Sequence, residues 1–188
     1  MEAVETLKGV AVRLVEGMML HNDLADVFDY LGLRGYKRMQ EYYGAWDAIT
    51  LRKIHRYSVN HEGRILPDDK PVYDPLAAAL AGHDRSEASV QERIMYTRRA
   101  VEKWVAWQEE TLSKMEAAAG ALRAYGHIAA ACMVEKLVCY TSKELKCAKR
   151  LHMELMAVDF DPAYAMQCQG CIHDEYRRKA RRMCKEMI

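Results

Sequence analysis

Phenylalanine and proline are nearly missing from this chain: 188 residues hold 2 Phe and 4 Pro, with only 10 Gly. Ala, Leu, Met, Glu, Lys and Arg dominate instead, a balance that favours helix over strand. No stretch of about 18 apolar residues occurs, so nothing in the sequence is built to span a membrane. Charge of one sign does not dominate either. The 28 basic and 27 acidic residues leave a net charge of +1, and global charge therefore predicts neither a nucleic acid nor a membrane as partner. With 51% hydrophobic and 29% charged residues, the composition excludes a disordered chain. No phosphate-binding Gly loop, G-x-S-x-G elbow or His-Glu-x-x-His motif is present, and nucleophilic catalysis has no support. The start, Met1, Glu2, Ala3, Val4, Glu5, is acidic where a signal peptide would be basic. A cytoplasmic protein is expected, with its 6 Cys mostly reduced.

What is present is helical periodicity. Leu7, Val10, Leu14, Met18, Ala25 and Phe28 recur at spacings of three and four, which predicts a long helix over 3–31. Gly32 and Gly35 punctuate a short link. Met39, Tyr43, Trp46, Ile49, Ile54 and Tyr57 mark a second helix over 36–62, and a short link implies antiparallel neighbours. Residues 63–88 hold Pro67, Pro71 and Pro75 and read as a long connection, as a crossover between parallel helices requires. Ser86 is a candidate cap for a third helix to about Tyr125, striped by Val90, Ile94, Val101, Trp104, Leu112, Met115 and Leu122. Gly126 marks a break. The fourth helix, about 128–158, presents Met133, Leu137, Tyr140, Cys147, Leu151 and Leu155, and Pro162 opens a shorter fifth. The expected architecture is all-α: an up-down four-helix bundle over 1–160, with one long crossover, and an additional C-terminal helix over 161–188.

One stretch says more than class. Ala25, Asp26, Val27, Phe28, Asp29, Tyr30, Leu31, Gly32, Leu33, Arg34, Gly35 and Tyr36 resemble the end of the first helix and the turn of ferritins. Asn60, His61, Glu62, Gly63, Arg64, Ile65, Leu66, Pro67 and Asp68 are similar to the end of the ferritin second helix, where a Gly-Gly-Arg segment opens the crossover. The resemblance implies a ferritin-like bundle and a metal site of inward-facing carboxylates with a Glu-x-x-His pair. No Glu-x-x-His occurs in this chain. At the ferritin register that pair becomes Asp47 and Thr50, and the first-helix Glu position falls on Leu14, with Glu16 about 200° away around the helix. Asp47, Glu110 and Glu144 remain as oxygen donors for one hard cation, without making the standard two-iron centre. An alternative is a buried polar network of His21, Asp47, Thr50, Gln108 and Glu144 in the place where ferritins hold metal.

Other residues carry weaker signals. Cys168, Cys171, His173 and Cys184 could supply four soft ligands to zinc, provided that a loop brings Cys184 back to the others. Cys132, Cys139 and Cys147, seven and eight residues apart, read as small hydrophobic core residues. Arg177, Arg178, Lys179, Arg181 and Arg182 form a basic cluster suited to an acidic partner or, less directly, to nucleic acid phosphates. Tyr42 and Trp46 belong to an aromatic run suited to core or interface. The expectation is a non-enzymatic ferritin-like protein acting through a protein partner or self-assembly as a homo-oligomer, with no resident cofactor. The alternatives are an iron-binding protein with ferroxidase-like activity at Asp47, Glu110 and Glu144, and a zinc-stabilised interaction module.

Overall fold

The computed structural model describes residues 2–61, 90–157 and 169–186. Among these residues there are five helices and no strand: α1 (Glu2–Leu31), α2 (Arg34–His61), α3 (Val90–Ala124), α4 (Ile128–Met156) and α5 (Gln169–Glu186). The expected all-α architecture is what the chain forms. The crossover at 63–88, the Ser86 cap and Pro162 lie outside the described residues. No helix of the described residues is long and apolar enough to cross a membrane.

Two glycines make the tight turns. Gly32 has φ of 81° and Gly126 of 80°, a backbone region that costs Gly nothing and other residues about 1 kcal/mol or more. At the first turn, Leu33 N–H bonds to the Phe28 carbonyl and Gly32 N–H to that of Asp29. At the second, His127 N–H bonds to Leu122 and Gly126 N–H to Arg123. Both patterns are Schellman caps, which satisfy the last carbonyls of a helix while reversing the chain. Gly35, expected to punctuate the link, lies inside the first turn of α2.

Cross-helix contacts set the directions. Tyr30 meets Tyr96, and Arg13 meets Glu110, so α1 and α3 are antiparallel. Trp46 stacks on Tyr140, and Tyr57 Oη lies 3.0 Å from His127 Nδ1, so α2 and α4 are antiparallel. His61 and Val90 therefore stand at opposite ends of the bundle, as a crossover requires. Arg98 of α3 donates to the carbonyls of Leu155 and Ala157, capping the end of α4 from a neighbouring helix. The fifth helix packs against α2 and adds Tyr176 to the core.

The core is two apolar clusters with a polar layer between them. At one end, Leu7, Val10 and Leu14 pack with Ile54, Met115, Leu122, Val134 and Leu137. At the other, Leu20, Leu24 and Phe28 pack with Met39, Val101, Trp104, Leu151 and Leu155. Fully burying a side chain of this size contributes about 1.5–3 kcal/mol. The layer between takes its residues from the middle of four helices, and it is where the chemistry lies. Two sequence expectations fail here. Cys132 and Cys139 are exposed and Cys147 is half-buried, because the buried stripe of α4 runs through Ala130, Val134, Leu137, Thr141 and Glu144. Cys132 and Cys139 sit on the opposite side of that stripe.

Candidate functional site

The polar layer centres on His21 of α1, whose side chain is 2% exposed. It occupies a core-stripe position, seven residues before Phe28 on one helix face. Its Nδ1 lies 2.7 Å from Gln40 Oε1 on α2. With the Gln40 amide so oriented, Nδ1 carries the hydrogen and Nε2 the lone pair. That Nε2 lies 3.5 Å from Asp47 Oδ2 of α2 and 3.4 Å from Glu144 Oε1 of α4. The indole N–H of Trp104 donates to Glu144 Oε1 at 2.9 Å, and Gln108 bonds to the same carboxyl group. Gln40 and Asp47 are seven residues apart, as are His21 and Leu14, so each helix offers one continuous inward face.

Burial governs the electrostatics. It lowers the His21 pKa to about 4, against a smaller opposing effect of the Gln40 hydrogen bond. It raises Asp47 well above the ordinary carboxylate value. Glu144 is raised by burial and then by the Asp47 charge, with the Trp104 and Gln108 hydrogen bonds opposing. Burial therefore pushes both carboxyl groups towards their protonated form and the imidazole between them towards its neutral form. The layer thus resists charge, as a desolvated site does when like groups face each other.

Some expected partners are elsewhere. The Thr50 hydroxyl donates to the Trp46 carbonyl of its own helix at 2.9 Å and does not enter the network. Glu110 is corrected outright: its side chain is 54% exposed, 2.9 Å from Arg13 and 2.5 Å from Lys114. Those cations hold its carboxyl below the ordinary value. Arg13 also pairs with Glu16 at 2.8 Å and lies 4.9 Å from the Trp107 ring centre. Glu110, which the resemblance would make a metal ligand, is thus engaged by Arg13 and Lys114. A Cβ built on Gly17 would fall 2.4 Å from Asp47 Oδ2, so the absence of a side chain at 17 is what admits the Asp47 carboxyl. Among the described residues, no group of three or more His, Cys, Asp or Glu side chains is arranged to hold a metal ion. The donor set does not fit a two-iron centre.

The remaining candidates separate. Cys168 lies outside the described residues. Cys171, His173 and Cys184 all fall on α5, which is continuous from Gln169 to Glu186. Thirteen residues of helix place Cys171 and Cys184 about 20 Å apart along the axis. The loop that a four-ligand zinc site needs does not intervene between them. Arg177, Arg178, Arg181 and Arg182 are exposed, and the first three line a shallow cleft with Asp174. Lys179 is half-buried instead, paired with Glu175 at 2.6 Å and lying 4.3 Å from the Tyr176 ring centre. Tyr42 and Trp46 are occupied within the chain: Tyr42 packs on Tyr176 at 5.5 Å and Trp46 on Tyr140 at 4.7 Å between ring centres. Sequence reasoning missed Gln40 and Trp104 as members of the network. Their signals were a seven-residue spacing to Asp47 and a four-residue spacing to Gln108.

The described fold, with its reversed helix pairs, opposite-ended connection and added fifth helix, is ferritin-like. Solved structures agree. An open-pore ferritin from the hyperthermophilic archaeon Archaeoglobus fulgidus superposes with a TM-score of 0.66 at 13% identity, over 92% of this chain and 96% of that one. A humanized archaeal ferritin gives 0.65 at 15% identity, over 92% and 95%. A form of the Archaeoglobus fulgidus ferritin engineered to close gives 0.62 at 15%, over 92% and 94%. No family model and no curated protein sequence matches the chain.

Proposed function

We propose that this chain is a ferritin-like bundle that acts by association, with copies of itself or with a protein partner, and does not oxidise iron at a two-metal centre. The observation that carries the reading is the composition of the polar layer. Among the described residues, Asp47 and Glu144 bring carboxyl groups to His21, burial raises the pKa of both, and Glu110 is engaged elsewhere by Arg13 and Lys114. Charge distribution supports association. The α1 helix carries 6 acidic and 2 basic residues, whereas α5 carries 3 acidic and 6 basic. Faces of opposite sign steer encounter and fix the register of docking. Light scattering across a salt series tests this. Reversing charge at Arg177, Arg178 and Arg181 is expected to reduce the assembled mass, most at low salt. Assembled mass unchanged by both salt and substitution overturns the association through α5.

Iron or another divalent ion is the second reading, and two distances favour it. The two separations at His21 Nε2, 3.4 and 3.5 Å, exceed a good N–H···O hydrogen bond. They match the edge of a tetrahedron around an ion with bonds of about 2.0–2.1 Å. The solved neighbours being ferritins points the same way. His21, Asp47 and Glu144 would be the donors, with His21 in the place expected for Glu110, and their side chains would have to draw together around the ion, since as they stand they form no metal-holding group. Elemental analysis of protein purified without added metal decides between the two. A stoichiometric ion lost with Asp47→Ala supports the second reading. Metal-free protein that still assembles supports the first.

A further inference from the structure

Basic residues outnumber acidic ones on both α2 and α4. The α2 helix carries 6 basic residues and 2 acidic, and α4 carries 5 and 3. One acid of each helix, Asp47 and Glu144, is turned into the bundle centre and does not offset the surface charge. On α4, Lys136, Lys143 and Arg150 recur every seven residues, so they share one face at intervals of about 10 Å. Two cavities open along this face and meet at Lys143. One, of about 360 Å³, is lined by Lys53, Lys136 and Lys143 with Trp46 and Tyr140. The other, of about 390 Å³, lies towards α5 and is lined by Lys143, Lys146, Arg150 and Lys179 with Tyr36, Tyr176 and one carboxylate, Glu175.

The charges are not spent internally. Arg150 pairs with Glu154 and Lys179 with Glu175, but Lys53, Lys136, Lys143 and Lys146 make no ion pair among the described residues. Lys143 lies 6.0 Å from the Tyr140 ring centre, which keeps its ammonium beside the groove's aromatic wall. Like charges held together repel one another, and an anion placed among them relieves that repulsion while accepting several charge-assisted hydrogen bonds. Each cavity has the size of a small-molecule site and is too small for a nucleic acid duplex.

We propose that the α2–α4 groove binds a small phosphate-bearing ligand, with Lys53, Lys136 and Lys143 holding its phosphates and the Trp46 and Tyr140 wall meeting an apolar, planar portion. A nucleoside diphosphate has this chemistry. Four lysines without an ion pair among the described residues line one cavity pair, and the aromatic wall distinguishes such a ligand from inorganic phosphate alone.

Calorimetric titration of the purified protein with ADP and, separately, with inorganic pyrophosphate tests the proposal. The expected result is saturable binding of both, tighter for ADP. Lys143→Glu should weaken both by about tenfold or more, the scale of a lost charge-assisted contact. Lys149→Glu makes the same charge change on α4, at a lysine occupied by Glu109 at 2.6 Å, and should leave binding little changed. If Lys143→Glu does not fold, Lys136→Glu carries the same comparison. Absence of saturable binding by both ligands overturns the proposal, as does equal weakening by Lys149→Glu. Binding of a single-stranded oligonucleotide with ADP and pyrophosphate silent overturns it in favour of a polyanion track.

Discussion

Adding one carbon at Gly17 separates the packing argument from helix propensity. Gly9, Gly17 and Gly120 all lie within helices, where replacing Gly by Ala ordinarily stabilises by about 0.4–1 kcal/mol, mostly through the unfolded chain. A Cβ on Gly9 or on Gly120 meets nothing within 4 Å. Both alanine variants are expected to gain that amount, about 1–4 °C in Tm for a chain of this size. At Gly17 the new carbon would lie 2.4 Å from Asp47 Oδ2 and 3.1 Å from the Trp107 ring. The first distance is an overlap, and the second requires the ring to give way. Overpacking of this kind costs about 1–3 kcal/mol, so the propensity gain is outweighed and Gly17→Ala should be less stable than the parent by up to about 2 kcal/mol. The Asp47 carboxyl would have to leave its place beside His21. Shortening Asp47 removes most of the overlap, so in an Asp47→Ala background Gly17→Ala should recover most of its cost. The double-mutant cycle should show a coupling of about 1 kcal/mol or more. Urea unfolding of the parent and these five variants measures it. Should Gly17→Ala stabilise as much as Gly9→Ala, the placement of Asp47 against α1 would be wrong, and the polar layer with it.

Other predictions concern the layer and the thiols. Asp47 and Glu144 are raised above their ordinary values of 3.8 and 4.5, so above those values the unfolded chain releases protons that the folded one keeps, and stability falls as pH rises towards the folded pKa. Asp47→Asn with Glu144→Gln should therefore gain on the parent as pH rises, by at most about 1.4 kcal/mol per pH unit per carboxyl group; a gain constant with pH in urea unfolding refutes this. His21 acts in the opposite sense. Its contribution is full above 6.5 and is lost as pH falls towards about 4, so His21→Gln should lessen the acid loss over that window. Trp104→Phe leaves Glu144 without its indole donor and should cost about 1–3 kcal/mol, and a smaller loss in Glu144→Gln/Trp104→Phe than the sum of the singles checks the pairing. Maleimide should label the exposed Cys132 and Cys139 before Cys147, whose thiol pKa is raised by burial; mass spectrometry of a time course would show the order.

Helix positions were legible because their causes are local. Apolar residues every three or four positions, glycines at 32 and 126, and a proline-rich interval between two helical runs depend on neighbours in the chain. Each helix boundary follows from a backbone that must either continue its hydrogen bonds or turn. The Cys132 and Cys139 placement was misread for the same reason in reverse: small apolar residues fit either face of a helix, and sequence spacing alone does not say which face is covered.

The polar layer was half legible. His21, Asp47, Gln108 and Glu144 sit on core stripes in the sequence, and polar residues on a core stripe must find partners. Which partner each finds depends on the rotation of four helices about their axes. Two residues are about 200° of helix, enough to put Gln108 inside and Glu110, 54% exposed, on the surface with Arg13 and Lys114. The amino-acid order by itself determined that this chain would be a bundle of long helices lacking the ferritin ligand motif, since periodicity and missing residue types are properties of the chain. Tertiary structure alone decided that an imidazole from α1 would stand between carboxyl groups from α2 and α4, and that their burial would raise the pKa of both. Distances between helices and the exclusion of water exist only once the helices are packed.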